Sequence, residues 1–381
     1  MLSDIIYLDN NASTRPDPAV LEAMMRQASE GYGNPSGQHA RAVAAADAIT
    51  TARRSLADLA DVPPNRLFFT SGATEANNTV FAQLPSSPRR RVRLLVSPIE
   101  HRSVLESAHA QETKGYRVEY LPVRDGRVDA PKAQALFADD VALVAVMLAN
   151  NETGHLQPVA ELVELSHGVG AQFHCDATQG LGKLAFSLTG LDVDSAALSA
   201  HKLHGPMGIG ALYVRRGLSL SPLLRGGGQQ AGMRAGTENV PAIVGFGIAA
   251  DQARVLLAES EQNCRAHVHL LSELLRSGLP ELQVLSCETG LPNTLLVRIP
   301  HSDAEQVLAH CPGVAASTGS ACATLSPEPS HVLLALYGDP DFARECLRLS
   351  VSRYTTADEI TAAASQLIAA ARYVHELRAI A

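Results

Sequence analysis

No stretch of about 18 consecutive apolar residues occurs anywhere in this sequence, which removes the ordinary signature of a membrane-spanning helix. The first residues, Met1 to Tyr7, carry neither a basic start nor a long apolar segment, so no secretory signal is read there and a cytosolic protein is expected. Positive charge is not in excess. With a formal net charge of -8, the chain has no general attraction for phosphate backbones or anionic lipid, so neither nucleic acid nor membrane is expected as a direct partner. The six cysteines, at 175, 264, 287, 311, 322 and 346, contain no Cys-x-x-Cys pair, which argues against a structural metal and a dithiol redox clip. In a reducing compartment they are expected as free thiols, most of them small buried apolar residues. Internal repeats and low-complexity tracts are also missing.

What is present is an ordinary globular composition, 46% hydrophobic and 18% charged, in 381 residues, enough for one large and one small domain. Apolar runs ending in polar or glycine-rich turns recur at 66–70, 92–97, 141–149, 171–175 and 195–200, with helical patterns between them. Such alternation specifies an α/β domain whose mostly parallel sheet is covered on both faces. Ligands of open sheets bind beyond the carboxyl ends of the strands, where the polar turns fall. A helical pattern over 242–277 then bridges to a smaller α+β region. Strands are expected there at 294–299 and 347–351, with a closing helix over 356–377 capped by Thr356. We expect a large domain over 13–255, and a small one formed by 1–12 and 256–381.

Several residues at those strand ends have chemical potential. Lys202 follows the apolar run 195–200 and precedes a Gly-Pro turn, the setting of a lysine that holds pyridoxal phosphate (PLP) as a Schiff base. A surface lysine after a strand fits the same pattern. Thr70 to Glu75 joins a strand to a helix through small residues, which suits either a phosphate cup or an ordinary capped turn. Ser199 and His201 flank Lys202 and would add donors to the same anion. Asp176 ends an apolar run, where a buried carboxylate needs a cation such as a protonated pyridine, unless it merely caps the next helix. Cys175 then faces the other side of the strand and belongs to the packing, whereas Gln179 is placed to reach the ring's phenolic oxygen.

His101 suits stacking on a ring and proton movement near neutral pH, and Asn11 and Asn151 offer amide donors. Arg348, inside an apolar strand, needs a carboxylate, and a substrate is favoured over a structural partner. Cys322 lies among small residues in a segment of about 317–331, read as a mobile, exposed loop suited to a travelling nucleophile.

Together these stretches resemble the cysteine desulfurases of the PLP-dependent fold-type I, class V aminotransferase-like family. The similarity runs in order through 8–12, 33–36, 70–78, 100–101, 150–154, 174–180, 199–210, 226–229, 234–241, 319–323 and 347–356. It implies a PLP-dependent transferase fold in which Lys202 carries the cofactor and shuttles a proton between substrate carbons. Asp176 would pair with the pyridine nitrogen, Gln179 with the phenolic oxygen, and His101 would stack on the ring. Ala73, Thr74, Ser199 and His201 would hold the phosphate, joined by Thr237 from the other subunit of a homodimer. Arg348, Asn11 and Asn151 would hold the substrate carboxylate.

The implied reaction takes sulfur from L-cysteine, leaving L-alanine and a persulfide on Cys322 for an acceptor protein in iron-sulfur cluster assembly or thiolation. The segment around Cys322 resembles the longer version of this loop. Ala200 in place of the usual glycine, Met207 in place of a usual lysine, and Gln230 to Met233 in place of an acidic-basic pair depart from the family pattern. A selenocysteine lyase, or a class V aminotransferase or lyase that uses no cysteine, would share most of these residues.

Overall fold

The structure is a computed structural model that describes residues 5–86, 90–318 and 329–380. Its main sheet contains β1 (Leu67–Thr70), β2 (Arg93–Val96), β3 (Arg117–Tyr120), β4 (Val141–Ala145), β5 (Gln172–Asp176), β6 (Ser195–Ser199) and β7 (Gly210–Val214), in the spatial order β1-β7-β6-β5-β4-β2-β3. Strand β7 runs antiparallel to both of its neighbours, and the other pairings are parallel. These runs form strands because aliphatic side chains can be buried on both faces at a period of two. Phe69, Leu95 and Val144 enter one core, while their chain neighbours Phe68, Leu94 and Leu143 enter the other.

Helices α1 (Pro18–Ser29), α2 (Ala40–Ala60) and α5 (Val159–Gly168) line the first core, and α3 (Ala73–Ala82) and α4 (Arg102–His109) the second. The expected strands are all present, with two informative differences. Strand β4 stops at Ala145 although Val146 to Ala149 remain buried, and β5 extends to include Asp176 itself. Asp176 is therefore aimed by strand geometry and not by a flexible turn. Gly210 has a specific role in the register. It pairs with Thr70 on one side and Ser199 on the other, and an added Cβ would lie 2.5 Å from the Leu198 carbonyl oxygen and 2.7 Å from Gly72 Cα. Only glycine lets the ends of β1 and β6 come this close.

Helix α6 (Val240–Gly278) begins where the Asn239 side chain accepts from Ala242 N–H, with Pro241 in the first turn. Its first half packs in the large core through Ile243, Phe246 and Ala250, and its second half in another core through Cys264, Leu271 and Leu275. An 18-residue window of this helix is apolar enough to cross a membrane by composition alone, with mean hydropathy 1.4. Half of that window is buried inside the fold, so core packing accounts for it.

The second sheet is antiparallel, with β8 (Gln283–Val284), β9 (Thr294–Arg298), β10 (Ser317–Thr318) and β11 (Cys346–Ser350) in the order β8-β9-β11-β10. The amino-terminal residues belong to this layer. Ile6 and Tyr7 pair with Val314 and Ala315, Leu8 is buried in the same core, and Asp9 bridges to Ser350. Helix α7 (His331–Tyr337) follows, and helix α8 (Ala357–Ile380) closes the layer. Thr356 and Glu359 bond reciprocally at the start of α8 as a capping box.

Both described ends of the expected loop over 317–331 are regular structure. Ser317 and Thr318 are strand paired with Arg348 and Leu347, and Ser330 caps α7 by accepting from Leu333 N–H. Cys322 lies outside the described residues. Among the described cysteines, 175, 264, 311 and 346 are buried as expected, whereas Cys287 is exposed.

Candidate active site

A cavity of about 580 Å³ opens at the carboxyl ends of the main strands, beside the second sheet. Eleven of the residues singled out by the sequence line it. Ala73 and Thr74 come from the start of α3, Asp176 and Gln179 from the end of β5, and Ser199, His201 and Lys202 from the end of β6. His101, Asn11, Asn151 and Arg348 complete the wall. Thr237 is exposed and does not line it.

The Lys202 ammonium donates to the carbonyl oxygens of Asn11 and Ala12, both at 2.7 Å. Asn11 is the centre of a junction between the two layers. Its amide nitrogen donates to Thr294 Oγ1 at 2.7 Å and to the Asn151 carbonyl at 3.0 Å, and its Oδ1 accepts from Asn293 and Lys183. The expected free amide donor for a substrate is thus already committed, because Asn11 sits where both sheets meet. Lys183, which local sequence gave no reason to single out, lies behind the cavity wall and contacts two of its residues. Its ammonium donates to Gln179 Oε1 at 2.7 Å, and burial together with the charge of Lys202 pulls its pKa down to about 7. Gln179 donates in turn to the Asn11 carbonyl, so its orientation is set from both ends.

Asp176 accepts from Thr178 N–H at 3.0 Å and from the Asn77 amide at 2.9 Å. Cys175 faces the opposite core with no exposure, and burial raises its thiol pKa well above the ordinary value. His101 caps α4, its Nδ1 accepting from Ser103 N–H, and burial lowers its pKa. Beneath it, the Glu100 carboxyl accepts from Met147 N–H and is pushed toward its protonated form by burial.

At the start of α3, Gly72 provides no side-chain cap, and Ser71 N–H is taken by Glu75. Among the described residues no hydrogen bond occupies the N–H groups of Gly72, Ala73 or Thr74, and a Cβ on Gly72 would meet only open space. An uncapped helix start beside hydroxyls is an anion site. His201, with its pKa lowered to about 4 by burial and the nearby lysines, is a neutral donor there at neutral pH. Arg348 is only 2% exposed. It donates to Asp9 at 2.6 Å and to the Asn151 carbonyl at 3.2 Å, and among the described residues Nε has no partner. The structure therefore supplies an internal carboxylate for Arg348, where the sequence reading favoured a substrate alone. Asp9 was missed because it lies 339 residues away along the chain.

A family model, class-V aminotransferase, matches residues 6–362. The chain belongs to this family, among its cysteine desulfurases. A cysteine desulfurase of Cereibacter sphaeroides is 42% identical over 366 residues, covering 93% of this chain and 92% of that protein. A solved NifS-like protein superposes with a TM-score of 0.88 at 35% identity, over 97% of this chain and 100% of its own. The structure of SspA in complex with cysteine gives a TM-score of 0.78 at 31% identity, over 92% of this chain and 99% of that one. The fold is that of fold-type I PLP enzymes. Members of the family use PLP.

The residues present fit that group. The cavity has unpaired backbone donors and hydroxyls at the α3 end for a phosphate, and a strand-borne carboxylate at the β5 end for a ring nitrogen. A lysine lies on β6's continuation, adjacent to β5. Arg348 also lines the cavity, at its edge toward the second sheet.

Proposed function

We propose that this chain is a PLP-dependent cysteine desulfurase, converting L-cysteine to L-alanine and passing the sulfur to Cys322 for delivery to an acceptor protein. The observation that carries this reading is the meeting of Lys202 and Asp176 in one cavity with the uncapped start of α3. Gly72, Ala73, Thr74, Ser199 and His201 would hold the phosphate, Asp176 the pyridine nitrogen, Gln179 the phenolic oxygen, and His101 would cover the ring. When bound, the cofactor supplies an electron sink for the pair left at the substrate's α-carbon.

Lys202 removes that α-proton and returns a proton to the substrate-derived carbon framework. Arg348 and Asn151 orient the substrate carboxylate. The Cys322 thiolate takes the sulfur: a carbon–sulfur bond breaks, a sulfur–sulfur bond forms, and protonation of the carbon side completes alanine. In a homodimer the exposed Thr237 would reach the phosphate site of the other subunit. The acceptor belongs to iron-sulfur cluster assembly or thiolation. The test measures alanine and persulfide from L-cysteine. Cys322→Ser should bind cysteine without forming persulfide, and Lys202→Ala should make no alanine. Normal sulfur release by the first variant, or normal alanine by the second, would refute the assignment.

A further inference from the structure

Behind His101 runs a chain of hydrogen bonds whose direction is fixed by chemistry. Asp176 Oδ2 lies 2.9 Å from the Asn77 amide, and an ionised carboxylate only accepts, so the Asn77 atom facing it is Nδ2. The other amide atom, Oδ1, only accepts, so His174 Nε2 at 2.8 Å must carry the proton. His174 is fully buried, with its pKa lowered to about 4 by desolvation, so its Nδ1 is an acceptor for Ser195 Oγ at 2.9 Å. Asn77 Nδ2 has a second hydrogen, and it points to Ser103 Oγ at 2.8 Å. That oxygen then has its own hydrogen to give, and His101 Nδ1 lies 2.8 Å away. Ser103 N–H donates to the same nitrogen at 3.1 Å.

We infer that Ser103 and Asn77 are positioning residues that lock His101 as its Nε2–H tautomer, so that the ring meets the cavity as a proton donor and not as a base. The inference rests on the proposed desulfurase reading for its catalytic meaning, but the tautomer itself does not depend on it. Nδ1 receives two donors and cannot hold a proton of its own without facing both. Among the described residues no hydrogen bond reaches Nε2, while the ring lines the cavity. The charged groups acting on His101 are Asp176, which favours a cation, and Lys202 and Arg102, which oppose one. Burial outweighs them and keeps the ring neutral. Because Asn77 donates to both Asp176 and Ser103, the Asp176 carboxylate and the His101 imidazole are linked through one amide.

The test is a long-range proton–nitrogen NMR correlation of the imidazoles in the full-length purified protein, with the His101 signal assigned by its loss in His101→Gln. An unprotonated Nδ1 and a protonated Nε2 at neutral pH are expected. Ser103→Ala should move the Nδ1 resonance toward that of a nitrogen with fewer donors and lower kcat about tenfold, the worth of one hydrogen bond, with KM within about twofold. Ser103→Thr should restore both. Asn77→Asp, which has no hydrogen to give, should turn the Ser103 hydroxyl away and reproduce the Ser103→Ala spectrum. A protonated Nδ1 in the unaltered protein overturns the inference, as does a Ser103→Ala spectrum with Nδ1 unmoved. The spectrum of the unaltered protein decides the tautomer even if a variant fails to fold. It does so equally if no alanine is formed from cysteine, which would sink the desulfurase reading alone.

Discussion

Glu152→Gln should flatten the dependence of stability on pH, because Glu152 is a buried acid with no cation in hydrogen-bond contact among the described residues. Its carboxylate accepts from Ser330 Oγ and feels Arg348 and Arg102 only at a distance, and burial dominates, raising its pKa from 4.5 to about 7. The folded state therefore holds a proton that the unfolded chain releases. Stability from this group is complete below pH 4.5, falls as pH rises toward 7, and is lost above it. At about 1.4 kcal/mol per pH unit, the interval from 4.5 to about 7 corresponds to about 3 kcal/mol. Glutamine fills the same space, still accepts from Ser330 and does not titrate.

The assay is urea unfolding of both proteins at pH 5 and pH 8, read as a double difference so that every other titrating group cancels. The variant should gain about 3 kcal/mol on the unaltered chain between those two conditions. Parallel pH profiles would show that Glu152 does not bind a proton on folding.

Three further outcomes follow from the same geometry. Lys183→Met removes the ammonium that holds Gln179 Oε1 and Asn11 Oδ1, so cofactor affinity, measured by fluorescence titration, should fall about tenfold. With the Lys183 pKa depressed to about 7, its cost to the fold is present below that pH and fades toward 10.5. The stability advantage of the Met variant should therefore shrink as pH rises across that window, and an advantage independent of pH would refute the shift. Gly210→Ala forces a methyl against Leu198 O and Gly72 Cα, and should cost about 1–3 kcal/mol in chemical denaturation while also weakening cofactor binding. Arg348→Lys keeps a charge beside Asp9 but loses the planar fork, so KM for cysteine should rise about tenfold with a smaller change in kcat; an unchanged KM would remove Arg348 from substrate binding.

The main sheet was legible because its strands are short aliphatic runs buried on both faces, and each ends where a polar residue begins. Asp176 and His101 were found by that rule, and Lys202 by it together with the Gly-Pro turn that follows, since the ends of parallel strands converge on one edge of the sheet. The long bridging helix was legible because apolar residues keep helical spacing from just past Pro241 to its end, whereas its cap at Asn239 came only with the structure. The junction was not legible. Asn11 meets residues 140 to 339 positions away along the chain, and no local pattern encodes a partner at that separation. Lys183, following Gly-Leu-Gly, has the look of a solvated turn lysine until Gln179 and Asn11 are seen to enclose its ammonium. Ser103 similarly reads as an ordinary first-turn serine.

The residues that escaped the sequence share a physical role: they hold charge and hydrogen atoms in place behind the groups that touch a ligand. Lys202, Lys183 and Arg348 bring three cationic groups around Asn11, while their nearest described hydrogen-bond partners are mostly carbonyl oxygens and amides, with Asp9 the carboxylate among them. Burial first, and the charge of Lys202 second, hold the Lys183 pKa down to about 7. A phosphate and a substrate carboxylate entering the cavity would bring negative charge close to these groups. Binding should then raise the Lys183 pKa and draw protons from solution near pH 7. Calorimetric titration of the cofactor-free protein with sulfate, an anion that neither titrates near pH 7 nor reacts with Lys202, in two buffers of different ionisation enthalpy measures that uptake directly. Proton release in place of uptake would mean that the cationic groups are already balanced and that the site was not built to await an anion.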